Sequence, residues 1–181
     1  ATDFHGQFEF KPLEPGFGQT IGNSLRRILL SSLEGYAISA IRIAGVDHEF
    51  SSIPGVVEDV VDIILNIKQI RLKSAVKGDK ATEHQIYITI SGQDEFRAKD
   101  IESRTNMFKV MNPELLICKM EPSVNLELEM TITKGRGYVP AEENMPENAP
   151  IGVIPVDAIY TPLKKVSYHV SNTRVGQRTD Y

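Results

Sequence analysis

Residues 124–133 constrain the fold of this chain more tightly than any other stretch. Val124, Leu126, Leu128, Met130 and Ile132 alternate with Asn125, Glu127, Glu129, Thr131 and Thr133. Period two marks a strand, because successive side chains of an extended backbone point to opposite faces. One face here is apolar and the other polar, the pattern of an antiparallel sheet packed on one side and wetted on the other. The same rhythm predicts strands at Phe8 and Phe10, at Ile41 and Ile43 around Arg42, and at Ile86, Ile88 and Ile90. A last strand is expected around Val166, Tyr168 and Val170.

Two segments switch to helical spacing. The first runs from about Thr20 to Leu33. The second runs from about Val56 to Lys68, with Val56, Val60, Ile63, Ile64 and Ile67 on one face. Pro54 and Gly55 punctuate its start, Glu58 and Asp59 fall in its first turn, and Lys68 lies near its end, charges that complement the helix dipole. Strands outnumber helices and no alternating βαβ rhythm is present, so the expected class is α+β with a mainly antiparallel sheet. Residues 142–150 (EENMPENAP) read as an exposed loop. Periodicity alone places no linear domain boundary.

The first helix is unusual. Ile21, Leu25, Ile28 and Leu29 form one stripe, the pattern of a core-facing helix. Leu30 sits opposite, flanked by Arg26 and Arg27. A helix apolar on both sides is expected to be covered on both sides, the second time by another chain.

Composition narrows the function classes. A net charge of −4 over 181 residues argues against binding nucleic acid across the general surface. No apolar run approaches the roughly 20 residues that span a bilayer, and the N-terminus lacks signal-peptide character. A single cysteine, Cys118, cannot form an internal disulfide, which fits a reducing cytoplasm. The histidines at 5, 48, 84 and 169 have no metal-ligand spacing, and no nucleophile elbow is present, so no cofactor, metal or catalytic residue is expected. Gly16, Gly18 and Gly22 are spaced GxGxxxG, which is neither a dinucleotide fingerprint nor a P-loop and reads as a tight turn with close packing. Gly135-Arg136-Gly137 reads as a sharp turn after a long strand. Arg26 and Arg27 could grip phosphate, but their apolar neighbours favour ion pairing in a core or interface. On these residues alone, a small α+β enzyme using Asp59 and Asp62 or the glycine loops, or a β-rich binding module, stays open.

PGFGQTIGNSLRRILLSS at residues 15–32 closely resembles the first helix region of the N-terminal assembly domain of bacterial RNA polymerase α subunits. The resemblance runs in register through GVDHEF (45–50), EDV (58–60), LNIK (65–68), GRGYVP (135–140), VDA (156–158) and RVGQRTD (174–180). It implies a discontinuous fold: residues 1–34 and 161–181 form a dimerisation domain, and 35–160 an inserted β-rich domain. It also implies a cytoplasmic, non-catalytic subunit of a nucleotidyltransferase, whose homodimer scaffolds the β and β′ subunits. Arg27 and Leu30 align with β contacts, and Lys68, Val156 and Leu163 with β′ contacts. Ile21, Leu25, Ile28, Leu29 and Leu33 would serve packing and the dimer interface. The family continues past Thr179-Asp180 with a strand, a long helix that crosses the dimer and a DNA-binding domain. The resemblance therefore implies a truncated chain, a weakened homodimer and no direct DNA contact.

Overall fold

The computed structural model describes residues 5–173. By Cα proximity the chain divides into two compact units, Ala1–Ser32 with Leu163–Tyr181, and Leu33–Pro162. The motif at 174–180 and the first four residues lie outside the described residues.

The Leu33–Pro162 unit is built on an antiparallel sheet. Its central strand β1 (Glu34–Ile43) pairs along one edge with β7 (Leu126–Arg136), which in turn pairs with β3 (Glu83–Ile90). Along its other edge β1 pairs with β2 (Leu72–Ser74) near its start and with β9 (Val153–Pro155) near its end. β2 continues the sheet to β5 (Phe108–Val110). Two small sheets complete the unit: β4 (Glu95–Arg97) with β6 (Leu116–Lys119), and β8 (Tyr138–Val139) with β10 (Ala158–Ile159). This is the α+β, mainly antiparallel class that the alternating patterns predict.

The alternation at 124–133 does what its period requires. Leu126, Leu128, Met130 and Ile132 are buried, as are Ile86, Ile88 and Ile90 opposite them. Val124 falls just outside β7, its N–H bonded to the Glu121 carbonyl at 3.0 Å. In β1 the alternation lapses and Ala37–Ile41 is buried throughout. A bulge between Ile38 and Ala40 explains part of this, since it gives Ser39 no cross-strand partner. The Ser39 carbonyl instead accepts the Val156 N–H at 2.8 Å.

Helix α2 (Val60–Ile67) lies on this core through Val60, Ile63 and Ile67, each buried. It starts four residues later than its spacing suggests. Pro54-Gly55 makes a turn with Gly55 at φ +82°, and Val56 then bridges Met120 in extended pairing. Glu58 accepts the Lys119 N–H at 2.7 Å, and Asp59 is the N-cap, so Asp62 is the acid of the first turn. A one-turn helix α3 (Lys99–Glu102) and a 3-10 turn at Ala141–Glu143, overlapping the start of the expected loop, complete the unit.

The other unit centres on α1 (Phe17–Ser31), which begins and ends slightly earlier than the spacing predicts. Two predicted strands are absent from it. Residues 6–14 are irregular, with Phe8 84% and Phe10 62% exposed. Alternation prepares a strand, but a strand also needs a ladder partner, and none is present here among the described residues. The segment at 166–170 likewise forms no strand. It lies along α1 as an extended strap.

Candidate functional site

Two surfaces collect the residues that the sequence singles out. The first is α1. Its N-cap, Gly16, sits at φ +86°, a left-handed conformation that glycine adopts without steric cost. Gly18 and Gly22, one turn apart, lie under the strap: a methyl group on Gly22 would overlap the Tyr168 ring, and one on Gly18 would press on Val170. The Tyr168 hydroxyl is fixed from both sides, accepting from Gln19 Nε2 at 2.7 Å and donating to Asn23 Oδ1 at 2.6 Å. Arg26 Nε donates to the Val166 carbonyl at 3.0 Å. The glycines thus serve a turn and a close backbone approach, and Arg26 grips the chain itself.

The apolar stripe of α1 is not in a core. No residue of the helix is buried; Leu25 is 38% and Ile28 52% exposed, with Ile21, Leu29 and Leu30 half-buried. The expectation of core packing by Ile21, Leu25, Ile28 and Leu29 is therefore corrected. Among the described residues their side of the helix is only partly covered, and the strap takes the neighbouring side. Arg27 is also exposed, while its carbonyl accepts from Ser31 Oγ at 2.6 Å. Leu33 stands beyond the helix end, in the other unit. Leu163 is half-buried.

The second surface is on the Leu33–Pro162 unit. Lys68, the C-cap of α2, pairs with Asp157 at 3.6 Å. Asp157 Oδ1 also accepts the Ala141 N–H at 2.8 Å, and Asn144 Nδ2 donates to the Val156 carbonyl at 2.9 Å. These bonds tie the 3-10 turn to the two-residue link between β9 and β10. Glu49, Val61, Ile64 and Leu65 join Lys68 and Asp157 around a shallow groove with apolar walls. Val156 is wholly buried, and it anchors the backbone that presents Asp157. Tyr138 is 56% exposed beside this pair. Desolvation raises its phenol above the usual range, and the Asp157 carboxylate adds to the shift.

The GRG motif closes the sheet. Gly135 faces Gly35 across β7 and β1, and the Tyr160 ring covers Gly135 so closely that a side chain there would collide with it. Gly137, at φ +64°, offers its carbonyl to the Tyr160 N–H at 2.8 Å. Arg136 and Lys134 reach Glu34 at 3.1 and 3.5 Å, and the Arg136 hydrogen bond, then Lys134, hold that carboxyl below its ordinary range. Sequence reasoning missed Asp157, Tyr138, Tyr160 and Arg71 as organising residues. Only the first two lay in motifs it had marked.

The features suggestive of catalysis have structural uses. Asp59 and Asp62 open α2. His48 Nδ1 accepts the Phe50 N–H at 3.2 Å in a turn, and His84 pairs with Asp79 at 2.8 Å. Burial, with the Glu58 charge, pushes the Cys118 thiol up to about 12. Among the described residues no three His, Cys, Asp or Glu side chains gather where they could hold a metal ion, and no helix is long and apolar enough to cross a membrane.

Residues 41–161 match the family model for the RNA polymerase Rpb3/RpoA insert domain. The whole chain aligns with DNA-directed RNA polymerase subunit alpha from Cytophaga hutchinsonii at 59% identity and from Flavobacterium psychrophilum at 57%, in each case over 54% of that protein. With the subunit from Bacteroides thetaiotaomicron it is 55% identical, again over the whole chain and 54% of the relative. The chain spans about half the length of the curated relatives it matches. The insert-domain match covers well over half of the chain and contains the end of β1, strands β2 to β10, α2 and the Lys68–Asp157 surface. The chain therefore belongs to the RNA polymerase Rpb3/RpoA insert domain family.

Proposed function

We propose that this chain is an assembly module of a bacterial DNA-directed RNA polymerase, part of an α subunit that carries no catalytic residue and brings the large subunits together. The observation that carries this reading is α1, a helix with an apolar stripe and no buried residue in a family of polymerase subunits. Ile21, Leu25, Ile28 and Leu29, with Leu33, would meet the same helix of a second copy. An exposed contiguous apolar stripe is characteristic of an interface, and a homodimer buries the same patch on both protomers. In this reading Ala1–Ser32 with Leu163–Tyr181 is the dimerisation domain and Leu33–Pro162 the inserted domain, a role for which the observed two units speak. Arg27 and Leu30 would contact β. Lys68, with Asp157 in place of the buried Val156, and Leu163 would contact β′. The work takes place in the bacterial cytoplasm.

The test uses the full-length subunit. Leu25→Asp should abolish the dimer in sedimentation equilibrium while leaving the circular-dichroism spectrum unchanged. Arg27→Ala should keep the dimer and capture purified β poorly, since truncating one member of a buried charged pair costs about 2–5 kcal/mol. A Leu25→Asp protein that stays dimeric refutes the dimer assignment, and normal β capture by Arg27→Ala refutes the β assignment.

A further inference from the structure

Among the Lys and Arg residues of the Leu33–Pro162 unit, Lys68, Arg71, Arg97 and Lys134 are, taken as whole residues, only half exposed. Three have a carboxylate: Asp157 at 3.6 Å from Lys68, Glu95 at 2.9 Å from Arg97, and Glu34 at 3.5 Å from Lys134. Arg71 has none among the described residues. Its Nε is buried without an acceptor, and its Nη1 makes one long bond, 3.5 Å, to the Ile159 carbonyl. Burial depresses its guanidinium below the ordinary value, although arginine remains charged. A cation drawn out of water without a counter-charge weakens the fold that carries it.

The position is also held firmly. The Arg71 N–H donates to Asn112 Oδ1 at 2.8 Å, its carbonyl accepts the Met111 N–H at 2.8 Å, and Asn112 Nδ2 returns to the Gln69 carbonyl at 2.9 Å. A fixed backbone holds a planar fork of donors that the chain, among the described residues, fills only at Nη1 and only with a long bond. The neighbourhood is continuous with the Lys68 surface, because Ile159 pairs with Tyr138, which stands beside Asp157, the partner of Lys68.

We propose that Arg71 is a docking point for an aspartate or glutamate side chain of the large partner subunit, which completes the ion pair on assembly; this rests on reading the Lys68–Asp157 surface as the β′ contact. Carboxylate is the matching chemistry, because its two oxygens accept the guanidinium fork bidentately. Arg71 would add selectivity to that face: a partner lacking the acid leaves a desolvated cation unpaired.

The experiment compares the full-length subunit with its Arg71→Met, Arg71→Glu and Lys68→Ala variants, measuring affinity for purified β′ and the melting temperature of the subunit alone. Arg71→Met keeps the apolar stem and removes the charge. It should lower β′ affinity tenfold or more while leaving the melting temperature equal or higher, and one Asp→Lys or Glu→Lys change in β′ should restore binding to Arg71→Glu. Wild-type affinity for Arg71→Met, with Lys68→Ala weakened, overturns the docking role of Arg71 and spares the reading of the face. Wild-type affinity for both overturns both. A melting temperature several degrees lower for Arg71→Met means that the carboxylate lies within the subunit, which also overturns the proposal.

Discussion

The two long helices share an apolar stripe at helical spacing and end in opposite environments. In α2, Val60, Ile63 and Ile67 are buried against the sheet, while in α1 the stripe of Ile21, Leu25 and Ile28 has no such cover. The apolar spacing of a helix says which side seeks burial. It does not say whether the same chain supplies the cover. For α2 the sheet does so, and the Asn66 side chain helps by donating to the Ile117 carbonyl at 2.9 Å. For α1, among the described residues, the strap takes the neighbouring polar side through Gln19, Asn23 and Arg26.

The sharpest break of this comparison is a pair of truncations. Ile63→Ala leaves a cavity in a well-packed core and should cost about 2–5 kcal/mol in urea unfolding. Ile28→Ala removes a half-exposed side chain, and in the monomeric form it should change stability by no more than about 0.5 kcal/mol. Equal losses in a verified monomer would mean that α1 has a hidden cover within its own chain. A smaller effect is expected at the strap. Gly22→Val places atoms where the Tyr168 ring lies, and overpacking of this kind costs about 1–3 kcal/mol. Adding Tyr168→Ala should recover part of that loss, because residues in contact are not additive; simple additivity would argue that the ring does not rest on Gly22.

The smallest effect belongs to Glu34, at the head of β1. Arg136 and Lys134 lower its folded-state pKa. Its contribution is therefore present above the ordinary carboxylate range and fades as pH falls through the folded value. The melting-temperature gap between wild type and Glu34→Gln should be small at neutral pH, shrink with added salt, and close on acidification. A gap that does not change with pH would show that the side chain acts through packing. Such a result would remove this ion cluster from the account of how the two Gly-bearing strand ends are pinned.

Much of the sheet unit was legible because period two is a local property. Each alternate apolar residue of 126–132 and 86–90 reports its own face. The same rule misled at Phe8–Phe10 and at 166–170. There the alternation is present, but a strand exists only when a second backbone satisfies its N–H and C=O groups. The start of α2 was misplaced for a related reason: Val56 fits the helical wheel, yet a bridge to Met120 claims its backbone. At the candidate sites, Arg27 and Lys68 were found as surface positions, whereas Val156 was not, because nothing local distinguishes a buried valine from an exposed one.

The sequence by itself determined which backbone each segment prefers and which side of it is apolar, since both follow from residue type and spacing along a single chain. It also settled the family, through ordered motifs from the first helix to the last residues. Only the tertiary structure decided that Gly22 makes room for Tyr168, that Gly135 makes room for Tyr160, that Asp157 meets Lys68, and that Arg71 meets no carboxylate among the described residues. Each of those facts joins residues dozens of positions apart, or the lack of such a partner. Distance along the chain carries no information about distance in space until the fold is closed.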